Sequence, residues 1–156
     1  MPETAVDDLK LIVFRLKDKE YAIPVSQVNS IEKVLHITRV PNVAPYIKGV
    51  INLRGVVTPI IDLRRRFQFE EVEYGESTRV IIVSTNNMEV GLIVDAANDV
   101  VDVQASQIEP QPEVVGVEEA EFISGVVKVD NRLLILLNLE KVLSQSEIKV
   151  QSGNEG

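Results

Sequence analysis

The sequence predicts a mainly β protein: two small barrels related by an internal repeat and packed on each other, with a few short helices. Three observations predict it. Val, Ile and Leu dominate a 45% apolar composition that has 4% aromatics and no Trp; β-branched residues suit a pleated strand better than a helix. The apolar runs are short and broken by turn residues, as at Arg54-Gly55 and Asp130-Asn131. The chain also repeats itself: YIKGVINLRGVVTPIIDLRRRF (46–67) returns as FISGVVKVDNRLLILLNLEKVL (122–143), 76 positions later.

At that offset Tyr46 meets Phe122, Gly49 meets Gly125, Gly55 meets Asn131 and Asp62 meets Asn138. An upstream block, EYAIPVSQVNSIEKV (20–34), matches EVGLIVDAANDVVDV (89–103) at an offset of 69, so that Ile31 meets Val100. The change of offset places seven extra residues in the second copy, in the Pro- and Glu-rich stretch 104–121. Insertions fall in loops, so a loop is expected there. The domain is read as 8–145, with one barrel from about 11–70, the other from about 79–143, and flexible tails at 1–7 and 147–156.

Each unit follows the same order. LIVFRL (11–16) and VIIVST (80–85) are strands, turned by KDKE and TNNM into the returning strands YAIPV and EVGLIV. SQVNSIE and DAANDV are short segments in which Ser26 or Asp95 can cap a helical turn. VLHITRVP (34–41) and VDVQ are third strands or extended pieces. IKGVINL and VVTPIIDL form a hairpin, as do FISGVVKV and RLLILLNL, and DLRRRF and NLEKVLSQ close each unit with a short helix. Five short strands per unit suit a small barrel. VVTPII and RLLILL are apolar at successive positions, so both faces need cover; the expectation is that the barrels pack through these runs. Pro59 lacks a donor, which predicts an edge or a bulge there.

The chemistry-bearing residue types are sparse. There is no Cys, and His36 is the single histidine; thiolate catalysis and His- or Cys-based metal sites are excluded. No nucleophile elbow and no phosphate-binding glycine loop occurs. The acids of 109–121 sit in a Pro-containing loop and read as solvated. No cofactor is expected. Residues 1–70 carry 11 Lys/Arg against 8 Asp/Glu and residues 71–156 carry 5 against 16, within a net charge of −8. That asymmetry disfavours nucleic acid. Arg64, Arg65 and Arg66 form a basic run without stacking aromatics, read as a solvated helical face or the counterpart of an acidic partner; Phe67 reads as core. The N-terminus MPETAVDDLK is no secretory signal, and no apolar segment is long enough to span a bilayer. Protein binding remains, at strand edges or at the seam between barrels.

The segment IKGVINLRGVVTPIIDLRRRF resembles the signature of the CheW family, the coupling proteins of bacterial chemotaxis. FRLKDKEYAIPVSQVNSIEKV, RVPNVAPYIKGVINLRG and VGLIVDAANDVVDV are similar to other blocks of that family, in order, so the resemblance covers about 8–145. It implies two SH3-like five-stranded barrels and no catalysis. It also implies a cytoplasmic adaptor at membrane-bound receptor arrays, without membrane insertion. Its partners would be the cytoplasmic tips of methyl-accepting chemoreceptors and the C-terminal CheW-like domain of the histidine kinase CheA. A scaffold of another two-component pathway, such as surface motility, is the alternative. The resemblance assigns receptor binding to Arg54, the arginine of NLRG, and to Glu32 as its acidic neighbour; Lys48, which has no basic equivalent at Ser124, joins them as a candidate contact unique to the first barrel. It assigns kinase binding to Leu92 and Val94 on an apolar edge of the second barrel. Gly49, Gly55 and Gly125 are expected to serve turns and close backbone approach.

Overall fold

A computed structural model describes residues 8–34, 36–70, 72–85, 88–110 and 120–143. The tails 1–7 and 147–156, the Asn86-Asn87 turn and most of the inserted loop, 111–119, lie outside the described residues. Ten strands are described: β1 (Asp8–Leu16), β2 (Lys19–Pro24), β3 (Val28–Lys33), β4 (Ile47–Leu53), β5 (Val56–Asp62), β6 (Arg79–Thr85), β7 (Met88–Val94), β8 (Ala96–Gln104), β9 (Ile123–Val129) and β10 (Arg132–Leu137). Two four-residue helices follow the second hairpin of each unit, α1 (Leu63–Arg66) and α2 (Leu139–Val142). Asp62 and Asn138 cap them by accepting from the amides of Arg64 and Lys141.

The strands form two five-stranded sheets, in the orders β8-β1-β2-β10-β9 and β3-β6-β7-β5-β4. A backbone bridge closes each: Thr38 with Val50 in the second, Glu109 with Val126 in the first. Barrel I is thus β1, β2, β8, β9 and β10, and barrel II is β3 through β7. This corrects the expected division into 11–70 and 79–143. Each repeat donates its first hairpin to the other repeat's barrel. The connectors are the physical reason. Unexchanged, β3 would lie beside β1 and parallel to β2, with β1 between them. Such a crossover needs a dozen or more residues. The chain has only Val25–Gln27 between β2 and β3, and only Asp95 between β7 and β8.

The repeat alignment itself holds to the register. Val28 pairs with Val83 and Ser30 with Ile82, with a bulge between. The equivalent pairs, Ala97 with Phe14 and Asp99 with Val13, carry the same bulge. Gly49 pairs with Ile60 and Gly125 with Leu136, each beside a bulge at Lys48 or Ser124. Both hairpin turns place two residues at positive φ, 53° and 84° at Arg54-Gly55 and 48° and 68° at Asp130-Asn131. That is the type I′ pattern that follows strand twist.

Three apolar clusters hold the molecule together. Leu11, Val13, Val127 and Leu134 fill barrel I, and Ile51, Ile60, Val80 and Ile82 fill barrel II. The largest lies between the barrels and draws on both: Phe14, Tyr21 and Ile23 from one, Ile81, Leu92 and Val94 from the other, with Phe67 and Phe122. Each barrel does hide the other's outer wall. The wall, however, is built mainly by the exchanged hairpins and the closing helices. From 56–61 and 133–137, Ile61 and Leu137 are the buried members of this cluster, whereas Val57 and Leu133 are about half exposed. Pro59 sits in an interior strand. Its partner Val50 directs its backbone groups to Thr38, and pairing with β7 begins only at Ile60. No ladder bond therefore requires the Pro59 donor.

The arginine run is not a solvated face. The Arg66 guanidinium stacks over the equivalent rings of Tyr46 (4.3 Å) and Phe122 (4.8 Å) and donates to the carbonyls of Lys141 and Val142 at the end of α2. Arg64 grips Asp95 with two bonds, 2.6 and 2.8 Å long. Burial works to raise the Asp95 carboxyl, but Arg64 and the Lys17 amide outweigh it and hold the group below its ordinary value. One crossover between barrels is thereby pinned by an ion pair.

Candidate docking site

Glu32 stands on β3, an edge strand of barrel II, directly opposite Val80. Val80 points into the barrel, so the Glu32 carboxylate emerges at the barrel mouth. Arg54, at the tip of the β4–β5 hairpin, approaches it at 3.4 Å. The Arg54 side chain is 71% exposed. An ion pair so open to water contributes at most ~1 kcal/mol; it orients the guanidinium rather than stabilising the fold.

Arg54 carries a further oddity. Its φ of 53° lies in the left-handed region, where Asn, Asp and Gly are favoured. The equivalent turn uses Asp130-Asn131. The hairpin does not need an arginine there. Gly55, at φ 84°, does need its freedom, and its amide donates to the Asn52 side chain.

Lys48 does not join this pair. It is the bulge residue at the opposite end of β4, six positions from Arg54, or ~20 Å along a strand. Leu92 and Val94 cannot be surface contacts: they are 0% and 1% exposed in the core between the barrels. β7 is the middle strand of its sheet, not an edge, and its alternate residues face barrel I. Kinase binding through these two side chains is therefore corrected. Gly49 and Gly125 do serve close approach, to the Thr38 and Glu109 carbonyls of the two bridges.

Exposed apolar residues lie elsewhere: Ile31 and Val100, and Val57 and Leu133, are related by the repeat, whereas Val56, Val72 and Tyr74 have no exposed apolar counterpart among the described residues. The signal was present in the sequence as apolar residues matched across the repeat. Periodicity alone does not separate such positions from core.

Asp62 is a buried carboxylate, 2% exposed, behind the Lys48 end of β4. Burial pushes its carboxyl above the ordinary value, opposed by the Tyr74 hydroxyl, the Arg64 amide and the charge of Lys48. A raised folded-state pKa favours folding below the unfolded value and loses that benefit as pH rises through the folded one. Asp62→Asn, which installs the residue of the equivalent cap, is therefore expected to melt at a higher temperature at neutral pH. The gain should vanish as pH falls below the ordinary aspartate range. Melting curves at both pH values check this; an equal or lower midpoint at neutral pH refutes it.

Comparison with known proteins agrees with this architecture. The family model of the CheW-like domain matches residues 10–147. The chain belongs to the CheW-like family. It is 52% identical over 147 residues to the chemotaxis protein CheW of Bacillus subtilis (strain 168), covering 92% of this chain and 94% of that one. It is 40% identical over 139 residues to the chemotaxis protein CheW of Klebsiella aerogenes, covering 89% and 84%. Among solved structures it is similar to the scaffolding protein TtCheW from Thermoanaerobacter tengcongensis, with a TM-score of 0.83 at 33% identity over 91% of this chain and 98% of that one. CheW-like proteins are non-catalytic chemotaxis scaffolds or adaptors, built of two SH3-like barrels. Among the described residues no helix is long and apolar enough to cross a membrane, and no acidic or histidine cluster suits a metal ion.

Proposed function

We propose that this chain couples the cytoplasmic tips of chemoreceptors to the histidine kinase CheA, so that receptor state controls kinase activity at membrane-bound arrays. The observation that carries the receptor side is Arg54. It sits at the strained position of a turn that an aspartate serves in the other barrel, its side chain is open to solvent, and Glu32 steadies it. Strain that the fold does not require is the mark of a site kept for binding. The kinase side moves from Leu92 and Val94 to the exposed pairs Ile31/Val100 and Val57/Leu133. Both barrels present apolar residues there, which suits packing against a homologous double barrel.

Arg54→Asp tests the receptor side, because the equivalent turn shows that aspartate fits. The variant should still melt cooperatively and close to the parent, since aspartate tolerates positive φ better and the lost pair with Glu32 is worth at most ~1 kcal/mol. Its affinity for a receptor-tip fragment should fall at least about tenfold, while binding of the CheA C-terminal domain is retained. An unchanged affinity for the receptor fragment sinks the assignment.

A further inference from the structure

The mouth of barrel I is closed by one cation. Arg132 opens β10 on the inward side, opposite Val129. Its guanidinium makes two bonds to Glu20, 3.1 and 2.9 Å long, and reaches Asp99 at 3.3 and 3.5 Å. Glu20 stands beside Leu134 and Asp99 opposite Val13, both of them core residues of barrel I. A single side chain thus gathers acceptors from two other strands.

The same three positions in barrel II are Val56, Glu89 and Ser30. The ladders equate them. Val56 faces Leu53 as Arg132 faces Val129. Glu89 faces Ser84 as Glu20 faces Arg15. Ser30 faces Ile82 as Asp99 faces Val13. The acceptors are kept and the donor is gone. Glu89 is partly buried and takes only the neutral Asn29 amide, at 2.6 Å. No cation forms an ion pair with it among the described residues. The Ser30 hydroxyl oxygen is buried and has no hydrogen-bond partner there, an arrangement that costs free energy unless something fills it. Val56 is 51% exposed. Arg54, two residues away, turns to Glu32 instead.

We propose that the mouth of barrel II receives a basic side chain from a partner protein, its head on Glu89 and Ser30 and its stem across Val56. It takes the place that Arg132 fills in barrel I. An arginine fits best, because its planar fork can bond a carboxylate twice and a third acceptor beside it, while its methylenes cover the valine. The partner is the one that meets Arg54 in the same turn. The inference therefore rests on the receptor assignment above and adds that the receptor tip presents a cation at this mouth.

Two measurements on the full chain test it. The first needs no partner. Val56→Arg rebuilds the barrel I arrangement, so adding Glu89→Gln should lower its melting midpoint more than Glu89→Gln lowers that of the parent. Equal losses overturn the proposal, because the mouth then does not hold a guanidinium. The second is affinity for a receptor-tip fragment. Val56→Arg, which fills the mouth, and Glu89→Gln, which removes the carboxylate, should each weaken it at least about tenfold. Val56→Met, long but neutral and flexible, should keep most of the affinity. Parent-like binding by the arginine or the glutamine variant overturns the inference, as does a methionine variant as weak as the arginine one. If Arg54→Asp alone weakens binding, the receptor assignment stands without this inference. If the parent chain does not bind the fragment, the assignment itself fails and the inference with it.

Discussion

Gly49→Val is expected to abolish cooperative folding, and Gly49→Ala to cost about 3–5 kcal/mol. Two penalties coincide at this residue. Its φ of 146° is a backbone state that side-chain-bearing residues rarely adopt, and an added Cβ would stand 2.1 Å from the Thr38 carbonyl oxygen. That oxygen accepts from Val50 in the bridge that closes barrel II. The side chain cannot be accommodated by moving a flexible neighbour, because the neighbour is backbone. Gly125, its counterpart, is gentler: a Cβ there would lie 2.9 Å from the Glu109 oxygen, without a positive φ. Gly125→Ala should therefore be the milder of the two. Denaturant unfolding of both variants measures the difference. A Gly49→Ala protein as stable as the parent would show that the bridge is dispensable.

Leu92→Ala is expected to destabilise by about 2–5 kcal/mol, the range for truncating a fully buried leucine. Leu92 is wholly inaccessible and packs between the barrels, so the cavity would open at the one interface that joins them. Affinity for the CheA C-terminal domain, expressed per folded molecule, should not change. Stability near that of the parent together with weakened kinase binding would return Leu92 to the surface and contradict the core between the barrels. The two measurements separate a packing residue from a contact residue, which sequence reasoning had merged.

That merger has a physical origin. Residues on a strand alternate between two faces, and EVGLIV shows apolar residues on both. Such a run says that both faces are covered, not by what. A sheet edge and a middle strand can carry the same letters. The pairing of β7 between β6 and β5 decides the matter, and those partners come from different repeats. The arginine run misleads similarly. Three consecutive arginines suggest a wet face, yet Arg64 and Arg66 fold back onto Asp95 and the end of α2. Lys48 stands out in the sequence because Ser124, its counterpart, is not basic, but the length of β4 separates it from Arg54. The Glu32–Arg54 contact came instead from the family resemblance, and the two side chains do meet.

The sequence by itself determined the duplication, its two offsets, the hairpin turns and four of the five strands in each unit; the third strand, expected at 34–41, lies instead at Val28–Lys33, in a stretch that reads as a short capped segment. These are local properties, set by φ preferences, side-chain alternation and the positions of Gly, Asn and Asp, and the bulges and ladders match them residue for residue. Only the tertiary structure decided that the repeats exchange their first hairpins, and with that which apolar faces are inside. The reason is chain connectivity: a three-residue and a one-residue connector cannot carry a strand back across its neighbour, so the backbone steps into the other barrel. Strand composition is nearly indifferent to that choice, and the exposed residues left for partners follow from it.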